Sequence, residues 1–143
     1  MSSYTQLLVA IDLSDQSRAI AAKSVELARQ WQAQLRLLHV IEYVPVEPMS
    51  DALVPVVQID ERVVARAREQ IHALAAALGV PADWCRVATG NVKAEILHQA
   101  REAGADLIVL GCRERHGLSI LVNLTEDTVL HGARCDVLAM RVR

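Results

Sequence analysis

Short runs of branched apolar residues alternate along this chain with longer segments whose apolar residues recur every three or four positions. The short runs have the length and composition of strands buried on both faces, and they cover residues 7–11, 35–41, 84–88, 106–110 and 136–142. Strands that alternate with helices indicate a parallel sheet with right-handed helical crossovers. We therefore predict an α/β fold with a five-stranded parallel sheet and helices on both faces.

Four helices are predicted between these strands, over residues 14–33, 58–78, 91–103 and 119–132. Ser14 is a suitable N-cap for the first. Gly79 and Gly104 are expected to end the second and third, since glycine readily adopts the left-handed conformation. Residues 45–55 contain three prolines and are predicted to form an irregular loop. The buried face of the second helix is predicted to carry Val63, Ala67, Ile71, Leu74 and Leu78.

The composition limits the kinds of partner that the protein can have. Its 143 residues suit a single domain over residues 1–143, and the absence of phenylalanine predicts an aliphatic core. The net charge of −2 comes from interspersed charges, so no basic face for nucleic acid is expected. No apolar stretch approaches the roughly 18 residues of a membrane span. The first residues lack the features of a signal peptide, so a cytoplasmic location is expected.

The cysteines and histidines do not predict a metal site or a hydrolytic enzyme. Cys85, Cys112 and Cys135 are far apart, and the five histidines lack metal-ligand spacing. Nor is there a nucleophile motif, so we expect no catalytic residues and no metal. Cys112 stands beside Arg113 and near Arg115, whose charges could lower a thiol pKa, so a redox sensor centred on Cys112 is one alternative. Cys85 and Cys135 are interpreted as core residues.

A ligand site of such a fold is expected at the carboxyl ends of the strands, where the strand order reverses. Asp12 follows the first predicted strand, and Gly111 follows the fourth. If these strands are neighbours, the two residues flank the crevice. Asp12 is then either a ligand contact or a carboxylate that accepts hydrogen bonds from nearby loop amides.

Three segments resemble the universal stress protein family. They are LLVAIDLSDQS at 7–17, ADLIVLGCRERHGLSILV at 105–122 and TEDTVLHGARCDVLAMRV at 125–142. The resemblance implies the sheet order 3-2-1-4-5 and homodimers that pair through the last strand. It also implies that Asp12 and the backbone of Val40 contact adenine or ribose in nucleotide-binding members. In those members a glycine pattern after the fourth strand holds the phosphates with bare backbone N–H groups.

The glycine pattern is incomplete in this chain. Gly111 is present, but Glu114 stands at the second glycine position, and Asn123-Leu124 stands at the later Gly-Ser pair. Glu114 adds negative charge near the expected phosphate, and Asn123 resembles a helix cap that would occupy the same amides. Arg113, Arg115 and His116 could compensate for part of this charge. We therefore expect no tightly bound ATP and no other cofactor. If a nucleotide does bind, its candidate contacts are Asp12, Val40, Gly111, Arg113, Arg115 and Asn123.

The last predicted strand, DVLAMRV, would lie at an edge of the sheet in this order. It has no proline, and its first charge after Asp136 is Arg141, so it lacks the features that usually protect an edge from pairing. We expect it to pair antiparallel with its copy across a two-fold axis, with Leu138 and Met140 buried between the chains. The predicted interface comprises Val137, Leu138, Ala139 and Met140.

The hypothesis for function is a non-enzymatic stress-response homodimer that acts through protein contacts, with a further protein partner that the sequence does not identify. An ATP- or AMP-binding regulator or weak ATPase is the main alternative. The thiol sensor at Cys112 is the other. Neither nucleic acid nor a membrane is expected as a partner.

Overall fold

A computed structural model describes residues 3–42, 60–113, 129 and 131–142, with the backbone alone at 112, 113 and 142. The strands are β1 (Gln6–Ala10), β2 (Gln34–Glu42), β3 (Cys85–Gly90), β4 (Leu107–Arg113) and β5 (Asp136–Val142). The helices are α1 (Asp15–Trp31), α2 (Glu61–Leu78) and α3 (Val92–Ala103), and a 3-10 turn covers Ala82–Trp84. Residues 129, 131 and 132 are helical, and the rest of the predicted fourth helix lies outside the described residues.

The strands form one sheet in the order β3-β2-β1-β4-β5, and every neighbouring pair is parallel. This confirms the predicted fold class and strand order. Leu7 is in register with Leu35 on β2 and with Leu107 on β4, so these three side chains share one face of the sheet. The order reverses around β1, which therefore has neighbours on both sides. That one domain spans residues 1–143 stays a prediction.

Each face of the sheet carries an aliphatic core. The α1 and α2 face buries Leu7, Val9, Leu37, Ile71 and Val109, among others. The opposite face packs against α3 and buries Leu8, Leu38, Ile96, Ile108 and Val129. Burying each such side chain contributes about 1.5–3 kcal/mol to the stability of the folded state. Burial on both faces explains why the strands are continuous apolar runs and not alternating ones.

The helices begin and end largely where the sequence predicts. The Ser14 side chain accepts a hydrogen bond from the N–H of Ser17 at the start of α1. Gly79 and Gly104 adopt the left-handed conformation after α2 and α3, as expected. The end of α1 was predicted two residues too late, because Gln32 adopts the left-handed conformation (φ 55°) without being glycine.

The structure corrects four details of the sequence interpretation. β4 continues to Arg113, so Gly111 does not end it and Cys112 lies within the strand. Trp84 belongs to the 3-10 turn, and β3 begins one residue later. β1 ends at Ala10, one residue before the predicted end. Val63 is 49% exposed, so the buried face of α2 starts further along the helix than predicted.

A hydrogen-bonded clamp joins the starts of β1 and β4. The Asp106 carboxylate accepts hydrogen bonds from Thr5 N (2.8 Å), Thr5 Oγ1 (2.8 Å) and Gln6 N (2.9 Å). The Asp106 N–H donates in turn to the Gln6 carbonyl at 3.0 Å. Burial raises the pKa of Asp106, but the hydrogen bonds from Thr5 and Gln6 outweigh it, so the pKa lies below its ordinary value. The ionised carboxylate therefore stabilises the fold.

We predict that Asp106→Asn destabilises the protein by about 1 kcal/mol at pH 7, because an amide cannot accept all three bonds. Since the pKa is lowered on folding, the stabilisation is complete above the unfolded value of about 4 and is lost as the pH falls through the folded value. Urea unfolding of both proteins from pH 7 to pH 3 measures the difference, which should shrink in acid. Asp83→Asn, at an exposed carboxyl, is the control. A difference that does not depend on pH would contradict the clamp.

Candidate functional site

A cleft opens at the carboxyl ends of β1, β2 and β4, where the strand order reverses. This is the position expected for a ligand site in an open parallel sheet. The part that the described residues enclose has a volume of about 190 Å³, which is below the roughly 300–1,000 Å³ typical of small-molecule sites. Its floor is apolar and is formed by Ile11, Ile20, Leu38, Ile96 and Leu110. An apolar floor suits the faces of a flat ring.

The polar rim of the cleft includes Asp12, which the sequence predicted there. Asp12 Oδ1 accepts hydrogen bonds from Ser14 N at 3.0 Å and from Ser14 Oγ at 2.6 Å. Between them, Leu13 adopts a left-handed conformation with φ 63°, which is costly for a residue with a Cβ. The carboxylate therefore holds the turn that leads into α1. This supports the interpretation of Asp12 as a partner of loop amides, and its role toward a ligand stays a prediction.

Val40 and Gly111 also line the cleft, on either side of β1. The Val40 side chain packs against the core on the α3 face, as expected from its position in a strand. The structure thus brings together Asp12, Val40 and Gly111 at one site. The Arg113 side chain, Glu114, Arg115 and Asn123 lie outside what is described, so the predicted phosphate contacts stay predictions.

The backbone of Val40 faces the place where β1 ends. In a parallel sheet, all residues whose side chains lie on one face direct their N–H and C=O groups in the same lateral direction. The hydrogen bonds from Gln34 N to Thr5 O (2.9 Å) and from Ile11 N to Leu38 O (2.8 Å) show that Gln34, Leu38 and therefore Val40 face β1. Because β1 ends at Ala10, the Val40 backbone is directed at the cleft.

His39 is a residue of this site that the sequence interpretation missed. From the sequence, a histidine within a strand is most simply a packed or surface residue, but His39 lines the cleft, and its Nδ1 lies 2.9 Å from the Ile11 carbonyl oxygen. A carbonyl only accepts, so Nδ1 carries the proton. The one feature of the sequence that could have pointed to His39 is its position next to Val40, near the end of β2.

The described cysteines do not support redox chemistry. Cys85 and Cys135 are free thiols and half-buried, and both pack against the cores as interpreted from the sequence. Burial raises the pKa of Cys85; burial, followed by the charges of Asp136 and Asp106, raises the pKa of Cys135. A raised pKa lowers the thiolate fraction and hence the reactivity. The Cys112 side chain lies outside the described residues, and the sensor hypothesis rests on that residue alone.

No group of three or more histidine, cysteine, aspartate or glutamate side chains is arranged to hold a metal ion in the described part of the chain. Within the same ranges, no helix is both long and apolar enough to span a bilayer.

Known proteins resemble this chain over nearly its whole length. A family model described as the universal stress protein family matches residues 3–141. Universal stress protein A homolog 2 of Coxiella burnetii is 35% identical over 144 residues, which cover 100% of this chain and 99% of that protein.

Two solved structures of universal stress proteins also resemble this chain over nearly its whole length. The universal stress protein UspA from Lactobacillus plantarum has a TM-score of 0.68 and 27% identity over 100% of both chains. A universal stress protein in complex with cAMP has a TM-score of 0.69 and 22% identity, covering 97% of this chain and 98% of its own. At 22% identity, the latter likeness concerns the fold alone.

The Asp12 turn leads to a stability prediction. Asp12→Ala should lower the free energy of unfolding by about 1 kcal/mol, because Ser14 N–H and Oγ–H both lose their acceptor. Asp12→Asn keeps an oxygen at the same position and should cost less than about 0.5 kcal/mol. Urea unfolding measures both, with Glu26→Ala on the exposed face of α1 as the control. Equal losses for the alanine and asparagine variants would show that charge, and not the accepting oxygen, is what matters.

Proposed function

The chain belongs to the universal stress protein family, and on that premise we propose that it is a non-enzymatic, cytoplasmic regulator of the stress response that works as a homodimer through protein contacts. The observation that carries the proposal is the edge of β5. This strand pairs with β4 on one side only, and no other described strand lies beyond it. Backbone groups at such an edge favour pairing with another chain.

The direction of the β5 backbone supports pairing between chains. Ile11, on the α1 and α2 face, donates toward β2, so residues of β5 on that face, Leu138 and Met140, direct their backbone groups toward β4. Val137 and Ala139 then direct theirs toward the free edge. Ala139 is also exposed, so a partner strand meets little steric hindrance there.

One part of the expected interface has to be corrected. Met140 is only 9% exposed in a single chain and belongs to the core on the α1 and α2 face, against which Leu138 is also partly packed. The Met140 side chain is therefore not available to be buried between two chains, whereas Leu138 is only partly packed and its place in the interface stays a prediction. The proposed dimer depends on the backbone of Val137 and Ala139, with their side chains lying on the α3 face.

We predict that the wild type sediments as a dimer at micromolar concentration and that Ala139→Pro shifts it to monomer. Proline removes the N–H that points to the free edge and leaves the β4 hydrogen bonds in place. Ala139→Val is the matched control, because it changes the side chain and keeps the donor. Circular dichroism verifies that both variants are folded. A wild-type mass near the 15.7 kDa of one chain, or a folded proline variant that stays dimeric, would contradict the proposal.

A second candidate function is weak binding of an adenine nucleotide in the cleft. The open Val40 backbone offers one donor and one acceptor beside an apolar floor, which suits the edge of a flat heterocycle bearing both an acceptor and a donor. The universal stress protein of similar fold that was solved in complex with cAMP supports this candidate. Glu114 and Asn123-Leu124 are the residues that argue against tight binding of a triphosphate.

We predict that nucleotide-free protein binds ATP with a dissociation constant weaker than about 1 μM, equivalent to −8.2 kcal/mol. The triple variant Glu114→Gly, Asn123→Gly, Leu124→Ser should bind more tightly, because it removes a negative charge and restores open backbone donors. Isothermal titration calorimetry with ATP and AMP measures this, with Glu102→Gln on α3 as the charge control. Micromolar or tighter binding of ATP by the wild type would refute the expectation of a damaged phosphate site.

A further inference from the structure

The ladder between β1 and β2 stops one hydrogen bond early. It runs regularly from Gln34 N–H to the Thr5 carbonyl up to Ile11 N–H and the Leu38 carbonyl. The next bond would join Val40 N–H to the Ile11 carbonyl. Within the described ranges that bond is not formed, and the Ile11 carbonyl instead lies 2.9 Å from His39 Nδ1.

A steric clash that keeps Ile11 away from β2 does not explain why the ladder stops early. Ile11 is buried in the core and still donates to Leu38, so its N–H side is in register with β2. Only its carbonyl side departs from the ladder, just before the Asp12 turn and the left-handed Leu13. A carbonyl oxygen has two lone pairs and could accept a second donor. The position in which the His39 ring holds this oxygen therefore determines whether Val40 N–H can also reach it.

We propose that His39 is a positioning residue that keeps the cleft open. Its Nδ1–H donates to the Ile11 carbonyl in place of Val40 N–H. This bond holds the end of β1 away from β2 and leaves the Val40 backbone facing the cleft. Without this side-chain donor, the ladder would close by one more bond and Val40 would lose its free donor. The structural part of this inference stands by itself, and its consequence for a ligand rests on the proposed nucleotide site.

Two substitutions of nearly equal shape separate donation from packing. Asparagine Nδ2 lies the same number of bonds from Cα as histidine Nδ1 and can donate to the Ile11 carbonyl. Leucine has a similar size and branching but no donor. His39→Asn should therefore keep the wild-type arrangement, whereas His39→Leu should let the ladder close.

Amide hydrogen exchange of Val40, followed by NMR at one pH, tests this directly. In the wild type and in His39→Asn, Val40 should exchange much faster than Leu38, whose N–H belongs to the regular ladder. In His39→Leu, the protection of Val40 should rise by about tenfold or more. His72→Leu, at an exposed histidine of α2, should leave Val40 unchanged. A protected Val40 in the wild type, or equal Val40 protection in the leucine and asparagine variants, would overturn the inference.

A second measurement keeps the inference falsifiable if the leucine variant does not fold. The ¹⁵N shifts of the wild-type His39 ring should show a protonated Nδ1 and, in the neutral form, an unprotonated Nε2. The opposite tautomer would place two acceptors against each other and would refute the proposed bond. Calorimetry with AMP then tests the ligand part, in which His39→Leu should bind more weakly than His39→Asn. If the wild type does not bind AMP, the nucleotide site fails, while the exchange and ¹⁵N data still decide the role of His39.

Discussion

Backbone hydrogen bonding in a parallel sheet constrains this molecule more than any single side chain does. Every residue on one face sends its N–H and C=O groups in one lateral direction, and every residue on the other face sends them in the opposite direction. The two faces here are filled by separate aliphatic cores, so register and direction are fixed together. Slipping a strand by one residue would exchange its buried faces and reverse its hydrogen-bonding direction at once.

Both candidate functional regions occur where this regular pairing stops. At the carboxyl end of β1, the chain turns away through Asp12 and Leu13, and Val40 on β2 is left facing a cleft. At β5 the sheet itself ends, and the outward groups of Val137 and Ala139 have no neighbouring strand among the described elements. Function in this protein is therefore expected where backbone donors and acceptors face no neighbouring strand. The two apolar cores fix the positions of the strands that carry these groups.

The sequence predicted the fold and strand order well, because runs buried on both faces differ clearly from amphipathic helices. It predicted Asp12, Val40 and Gly111 at one site, since the resemblance and the strand-end rule agree on that location. It failed where structure depends on contacts distant in sequence. Pairing with β5 carries β4 past Gly111, and the Ile11 carbonyl gives His39 its role. Gln32 ends α1 in a conformation that the residue type disfavours, so no local signal marked it.

The clamp at Asp106 joins residues about 100 positions apart, and this has a consequence for how the protein is made. β1 is the central strand of the finished sheet and is made before the other four strands, whereas its β4 neighbour follows about 100 residues later. At about 5–20 residues per second, one edge of β1 waits roughly 5–20 s for its partner. During that interval the nascent chain carries an unpaired apolar strand edge, which makes it prone to aggregation until β4 has been made.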